Sequence, residues 1–104
     1  MVFLARSDQP DALIEPAILV LAGEFQRIAE YFEGLLEERN LRLDLQGDGT
    51  VTTDPILLRR TLANLIANAI QYADPDSVII LSGAPHTHSV TLIVENRGPV
   101  IPQQ

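Results

Sequence analysis

The uninterrupted stretch from Asp54 to Ala73, DPILLRRTLANLIANAIQYA, constrains the fold more than any other part of this sequence. It opens with Asp-Pro, a side-chain capping acceptor followed by the residue that suits the first helical position. Neither Pro nor Gly recurs until Asp74-Pro75. At roughly 100° per residue, Leu58, Leu62, Leu65, Ile66 and Ala69 share one apolar face. Thr61, Asn64, Asn68 and Gln71 form a polar stripe on another, with Asn64 and Asn68 one turn apart and Tyr72 a turn further on. A helix that only faces water would carry Lys and Glu there. This one carries amides, a hydroxyl and a phenol, with Arg59 and Arg60 near its start, so the stripe points to a ligand.

The chain is 104 residues long, one domain at most. Its formal charge of −7 argues against nucleic acid or an anionic membrane as a partner. A polyphosphate ligand would need Mg²⁺ and local cations. The chain has no cysteine, which excludes a disulfide framework, a Cys-zinc site and thiol catalysis. No apolar run is long enough to span a bilayer, and MVFLA is too short for a signal-peptide core, so a cytoplasmic location is expected.

Around the central helix the pattern implies a small α+β domain. Met1 to Asp8 reads as the last turns of a helix or an exposed terminus. Ala12 to Glu15 is a short strand candidate. Ala17 to Arg39 reads as one long amphipathic helix, with Ile18, Leu21, Phe25, Ile28, Phe32 and Leu35 inward and Gln26, Glu30, Glu33 and Glu37 outward. Asn40 is a left-handed stop. Leu41 to Gln46 alternates as a half-buried strand. Gly47-Asp48-Gly49 turns into a β-prone piece, Thr50 to Thr53, as a hairpin. Beyond the central helix, Asp74-Pro75-Asp76 is a turn. Ser77 to Leu81 and Val90 to Val94 form strands joined by Ser82 to Ser89, and Glu95 to Gln104 leaves the sheet. The sum is a two-layer α/β sandwich with helices on one face of a mixed sheet.

Asn64 and Asn68 have two readings on their own: ligand contacts, or amides bridging backbone groups in a core helix. Tyr72 is either a ligand-facing ring or core packing. Asn96 and Gly98 fit an ordinary turn after a strand as well as a binding loop. His86 and His88 read as solvated loop residues, and Asp8, Asp11, Asp74 and Asp76 as turn residues.

The segment NLIANAIQYA resembles the N box of sensor histidine kinases, whose usual form is N-L-hydrophobic-x-N-A-hydrophobic-[KR]-[YF]-[TS]. The preceding LRR and the later IVENRGPVIP resemble the copper/silver branch of that family, whose first glycine box reads E-N-P-G-x-P-I. The opening MVFLARSD is similar to the end of that branch's dimerisation hairpin. Nearly the whole chain is covered. The resemblance implies a partial Bergerat fold, shared with type II topoisomerases and Hsp90-like chaperones. Residues 1–10 would be the tail of a dimerisation helix or a linker. Residues 11–104 would be the first part of an ATP-binding domain without its lid and second glycine box.

The implied ligands are ATP or ADP with Mg²⁺. Asn68 would hold the metal, since Mg²⁺ takes oxygen ligands. Asn64 would lie near the phosphates and Tyr72 against the adenine. Asn96, where most of the family has Asp, would accept from the adenine amino group, with Gly98 and Ile101 lining the base. Gln71 stands where the family has Lys or Arg, which removes a charge-assisted phosphate contact. The implied function is transfer of the γ-phosphoryl of Mg-ATP to a histidine of a dimerisation hairpin and on to a response regulator, in a parent kinase anchored at the inner membrane. No turnover is expected from these residues alone. Two alternatives remain: a non-catalytic kinase-derived module that self-associates as a homodimer through an open sheet edge, and a small anti-sigma-type kinase of the same superfold.

Overall fold

The computed structural model describes residues 2–7, 16–87 and 89–97. In chain order the elements are β1 (Val2–Ser7), β2 (Ala17–Val20), α1 (Leu21–Tyr31), α2 (Glu33–Glu38), β3 (Arg42–Gln46), β4 (Thr50–Thr53), α3 (Pro55–Tyr72), β5 (Val78–Pro85) and β6 (Val90–Arg97). Four strands form one mixed sheet in the order β1-β6-β5-β3, and β2 and β4 pair as a separate two-stranded sheet. Among the described residues only β3 and β5 run parallel. The α+β class and the two-layer arrangement read from the sequence are both present.

The helix α3 forms where its pattern and caps require it. The Asp54 carboxylate accepts from the Ile56 N–H at 3.0 Å, and Pro55 occupies the first turn. The face read as apolar is the buried one: Leu58, Leu62, Leu65, Ile66 and Ala69, joined by Ile70. It lies over β1 and β6, while α1 lies over β3. From below, the sheet offers Ile79 and Leu81 on β5 and Val90, Leu92 and Val94 on β6, all fully buried. The residues between them, Val78, Ile80, Thr91 and Glu95, are half-buried and Ile93 is exposed, so both helices sit on the same face. Arg59 on α3 grips Glu24 on α1 through Nε to Oε1 at 2.8 Å and a second guanidinium nitrogen to Oε2 at 3.1 Å. The hydrogen bond to Glu24 holds the Arg59 guanidinium above its usual pKa range. Water reaches 43% of the Arg59 side chain, so the pair contributes on the order of 1 kcal/mol or less. Apolar burial holds the helices together.

Four sequence expectations are corrected. The N-terminal segment, expected as the tail of a helix, an exposed terminus or a linker, is β1, in antiparallel register with β6 from Val2↔Glu95 to Ser7↔Val90. A stretch this short carries no decisive periodicity, and an open strand edge offers a full ladder of hydrogen bonds. The long helix expected over Ala17 to Arg39 is a strand followed by two helices. Leu19 pairs with Val51 and both are buried, which leaves Ile18 74% exposed. The helical path then breaks at Phe32, so Leu36, not Leu35, reaches the core.

The expected hairpin between Leu41 and Thr53 does not form. Its strands belong to different sheets. Gly47 lies so close to the Phe25 ring that a Cβ there would stand 2.4 Å from it. Gly49, at φ +85°, turns the chain away to β2, and its carbonyl accepts from the Leu21 N–H at 3.1 Å. Finally, the second hairpin is longer than expected: β5 runs to Pro85 and β6 to Arg97, so Asn96 lies within a strand and not beyond it. The expected left-handed stop at Asn40 is present, at φ 54°. The expected strand at Ala12 to Glu15 and the residues after Arg97 lie outside the described residues.

Leu62, 1% exposed, fills the space between α3 and the sheet. Leu62→Ala is expected to remove about 2–5 kcal/mol of stability. Urea unfolding should show a lower midpoint with an unchanged slope.

Candidate functional site

Burial of the leucine face dictates where the rest of α3 points. With Leu58, Leu62 and Leu65 fixed against the sheet, Asn64, Asn68, Gln71 and Tyr72 are held on the outside, and all four are exposed. The amides of Asn64 and Asn68 have no side-chain hydrogen bond among the described residues, so they do not bridge backbone groups of the helix. Thr61 differs: its hydroxyl donates to the Leu57 carbonyl at 2.9 Å and is used within the helix. The stripe read from the sequence therefore reduces to two outward amides, a neutral Gln71 and the Tyr72 ring, which is 59% exposed.

Asn96 belongs to the sheet. Its register partner is Ile79, which places it on the helix-bearing face of β6. Its Nδ2 donates to the Ser77 hydroxyl oxygen at 2.9 Å and to the Val78 carbonyl at 3.0 Å. A carbonyl can only accept, so the Val78 contact fixes which end of the amide faces β5. Both N–H groups are spent inside the protein. Oδ1, which has no partner among the described residues, is left as an acceptor.

Ser77, 2% exposed, in turn donates to the Asp74 carbonyl in the turn that leaves α3. Asn96 is thus tied through one hydroxyl to the end of the helix that carries Tyr72. Chemically, this end of the domain offers outward amide oxygens for a cation or phosphate-bound water, an aromatic face, and one oriented acceptor for an amino group. Gly98 and Ile101, expected beside Asn96, lie outside the described residues, as does His88. His86 is exposed in the β5–β6 loop and shares a 2.8 Å hydrogen bond with the Thr91 hydroxyl. Among the described residues no cluster of three or more His, Cys, Asp or Glu could hold a metal. A bound cation here would depend on an amide oxygen and the ligand's own oxygens.

Ser77 and Arg39 escaped the sequence reading. Arg39 was assigned only as the end of a helix, yet its guanidinium donates to the carbonyls of Ile70, Gln71 (3.3 Å) and Ala73 (2.8 Å), at the C-terminus of α3. The available signal was that the last turn of α3 carries no cation of its own.

Comparison with known proteins bears on the fold and its relatives. No family model matches the chain. The Escherichia coli O157:H7 protein named sensor histidine kinase CusS is 39% identical over 105 aligned residues, which cover 99% of this chain and 22% of the relative. The chain therefore spans about a fifth of the length of the curated relatives it matches, each of the first three at 22%. Among solved structures, a nucleotide-free catalytic domain of the histidine kinase ThkA superposes with a TM-score of 0.71 at 24% identity, over 86% of this chain and 63% of that one. A second ThkA structure, in complex with the response regulator protein TrrA, matches at a TM-score of 0.65 and 22% identity, over 85% of this chain and 27% of that one. These structural matches show the fold.

Two outcomes test the geometry. Asn64→Ala and Asn68→Ala should leave stability unchanged or raise it by a few tenths of a kcal/mol, because exposed alanine favours the helix. Asn96→Asp should destabilise by about 1–3 kcal/mol, because a carboxylate oxygen would then face the Val78 carbonyl. Chemical denaturation of the three variants checks both.

Proposed function

Since this chain is homologous over its whole length to one segment of the heavy-metal sensor histidine kinases, we propose that it forms one wall of their ATP-binding site. The observation that carries this reading is the Asn96 amide. With both hydrogens held by Ser77 and Val78, its oxygen is oriented to accept from the exocyclic amino group of adenine. An Asp in that place does the same with a carboxylate. Here the neighbouring hydroxyl and carbonyl make Asn the residue that fits.

Tyr72 offers its exposed ring to the adenine plane. Asn68 would supply an amide oxygen to Mg²⁺, a cation that favours oxygen ligands. Asn64, one turn earlier, stands beside the phosphates. Bound Mg-ATP supplies the γ-phosphoryl group. What the chain contributes is orientation of the base and neutralisation of charge. Gln71 adds no cation, so binding should be weaker than in relatives with Lys or Arg there. In a complete kinase the phosphoryl acceptor is a histidine of a dimerisation hairpin, and a response regulator receives the group next. The domain works on the cytoplasmic side. No helix among the described residues is long and apolar enough to cross a membrane.

Calorimetric titration with ADP tests the reading. The wild-type chain should bind ADP more tightly with Mg²⁺ than without. Asn68→Ala should lose that Mg²⁺ increment, about tenfold in affinity, while remaining folded. Absence of heat and of spectral change at millimolar ADP would remove the nucleotide assignment.

A further inference from the structure

The C-terminus of α3 is closed from outside the helix. The last carbonyls of any helix lack intrahelical donors, and they carry the negative end of its dipole. Ala73 N–H still donates to the Ala69 carbonyl at 2.9 Å, but the carbonyls of Ile70, Gln71 and Ala73 turn to the guanidinium of Arg39. These bonds cross 31 to 34 residues of chain. The same short segment is held twice more. The Arg39 carbonyl accepts from Asp76 N–H at 3.2 Å, and Asn40 Nδ2 donates to Asp76 Oδ1 at 2.6 Å. Arg42 N–H then takes the Ser77 carbonyl at 3.1 Å, where β3 and β5 begin to pair. Residues 39–42 thus clamp residues 70–77 along their whole length. Within the clamped segment lie Tyr72 and Ser77, and Ser77 orients Asn96.

We propose that Arg39 is a positioning residue for the base-binding end of the site, acting through Tyr72 and through Ser77 to Asn96. This rests on the nucleotide reading above and goes beyond it, because the Arg39 guanidinium is engaged by backbone carbonyls of α3 and acts on the ligand only through other residues. A guanidinium suits the task because its planar fork reaches several carbonyls at once. A lysine ammonium supplies the charge without the fork. The effect falls on the adenosine half of the ligand and is independent of Mg²⁺, in contrast to that of Asn68.

The test compares wild type, Arg39→Ala and Arg39→Lys by calorimetry with ADP and with adenosine, with and without Mg²⁺, at a temperature where circular dichroism shows all three folded. Arg39→Ala is expected to weaken ADP and adenosine by the same factor, about tenfold, whether or not Mg²⁺ is present. Arg39→Lys is expected to recover only part of that loss. Amide exchange of residues 70–77 should quicken in Arg39→Ala while that of Leu62 and Leu65 stays as in wild type. Wild-type affinity in Arg39→Ala, or a loss confined to Mg-ADP, would overturn the proposal while leaving the nucleotide site standing. Should Arg39→Ala not fold, Arg39→Lys decides alone: a threefold or greater loss of adenosine affinity supports the proposal and wild-type affinity overturns it. A wild-type chain that binds neither ligand overturns the nucleotide reading and this proposal with it.

Discussion

Burial of one face of α3 against the sheet is the constraint from which the rest of the site follows. Leu58, Leu62, Ile66 and Ala69 are at most 1% exposed. At roughly 25 cal/mol per Å² of apolar surface removed from water, this contact outweighs any polar interaction in the domain. Because the helix cannot rotate without exposing those side chains, Asn64 and Asn68 have only one direction to point. Their outward placement needs no hydrogen bond to maintain it. The amides are free to serve a ligand because the leucines do the holding.

The sheet contributes in a different way. Asn96 lies in a row of inward residues on β6 that are otherwise apolar, Val90, Leu92 and Val94. A polar side chain on that face must find partners. Ser77 and the Val78 carbonyl satisfy its donors and in doing so set the direction of its acceptor. Arg39 closes the helix end next to them. Apolar packing therefore fixes the helix, and a short chain of polar contacts fixes the amide that we propose reads the ligand. The first is tolerant of detail. The second depends on individual atoms.

How much of this the sequence revealed depends on the range of the interaction. The central helix, its Asp54 cap, its buried face and its outward amides were legible because all are set within a few residues. Asn40 and the turn at Asp74 were legible for the same reason. The first strand was not legible because six residues give no period, and its partner is β6, at the far end of the sequence. The break at Phe32 was hidden because spacings of three and four fit both Leu35 and Leu36. The supposed hairpin between β3 and β4 failed because Phe25, packed on Gly47, directs the chain into a second sheet. Arg39 and Ser77 gave almost no local signal, since their partners lie 31 to 34 and 19 residues away.

We propose that the outward flank of α3 and the inward amide of Asn96 serve one ligand. Mapping of ¹H–¹⁵N shifts on addition of Mg-ADP addresses it most directly. Changes are expected to concentrate at the backbone amides of Asn64, Asn68 and Tyr72 and at the side-chain amide of Asn96. Changes confined to a second groove, between α1 and α3 and lined by Arg27, Tyr31, Arg59 and Leu62, with the Asn96 side-chain signal unmoved, would contradict it.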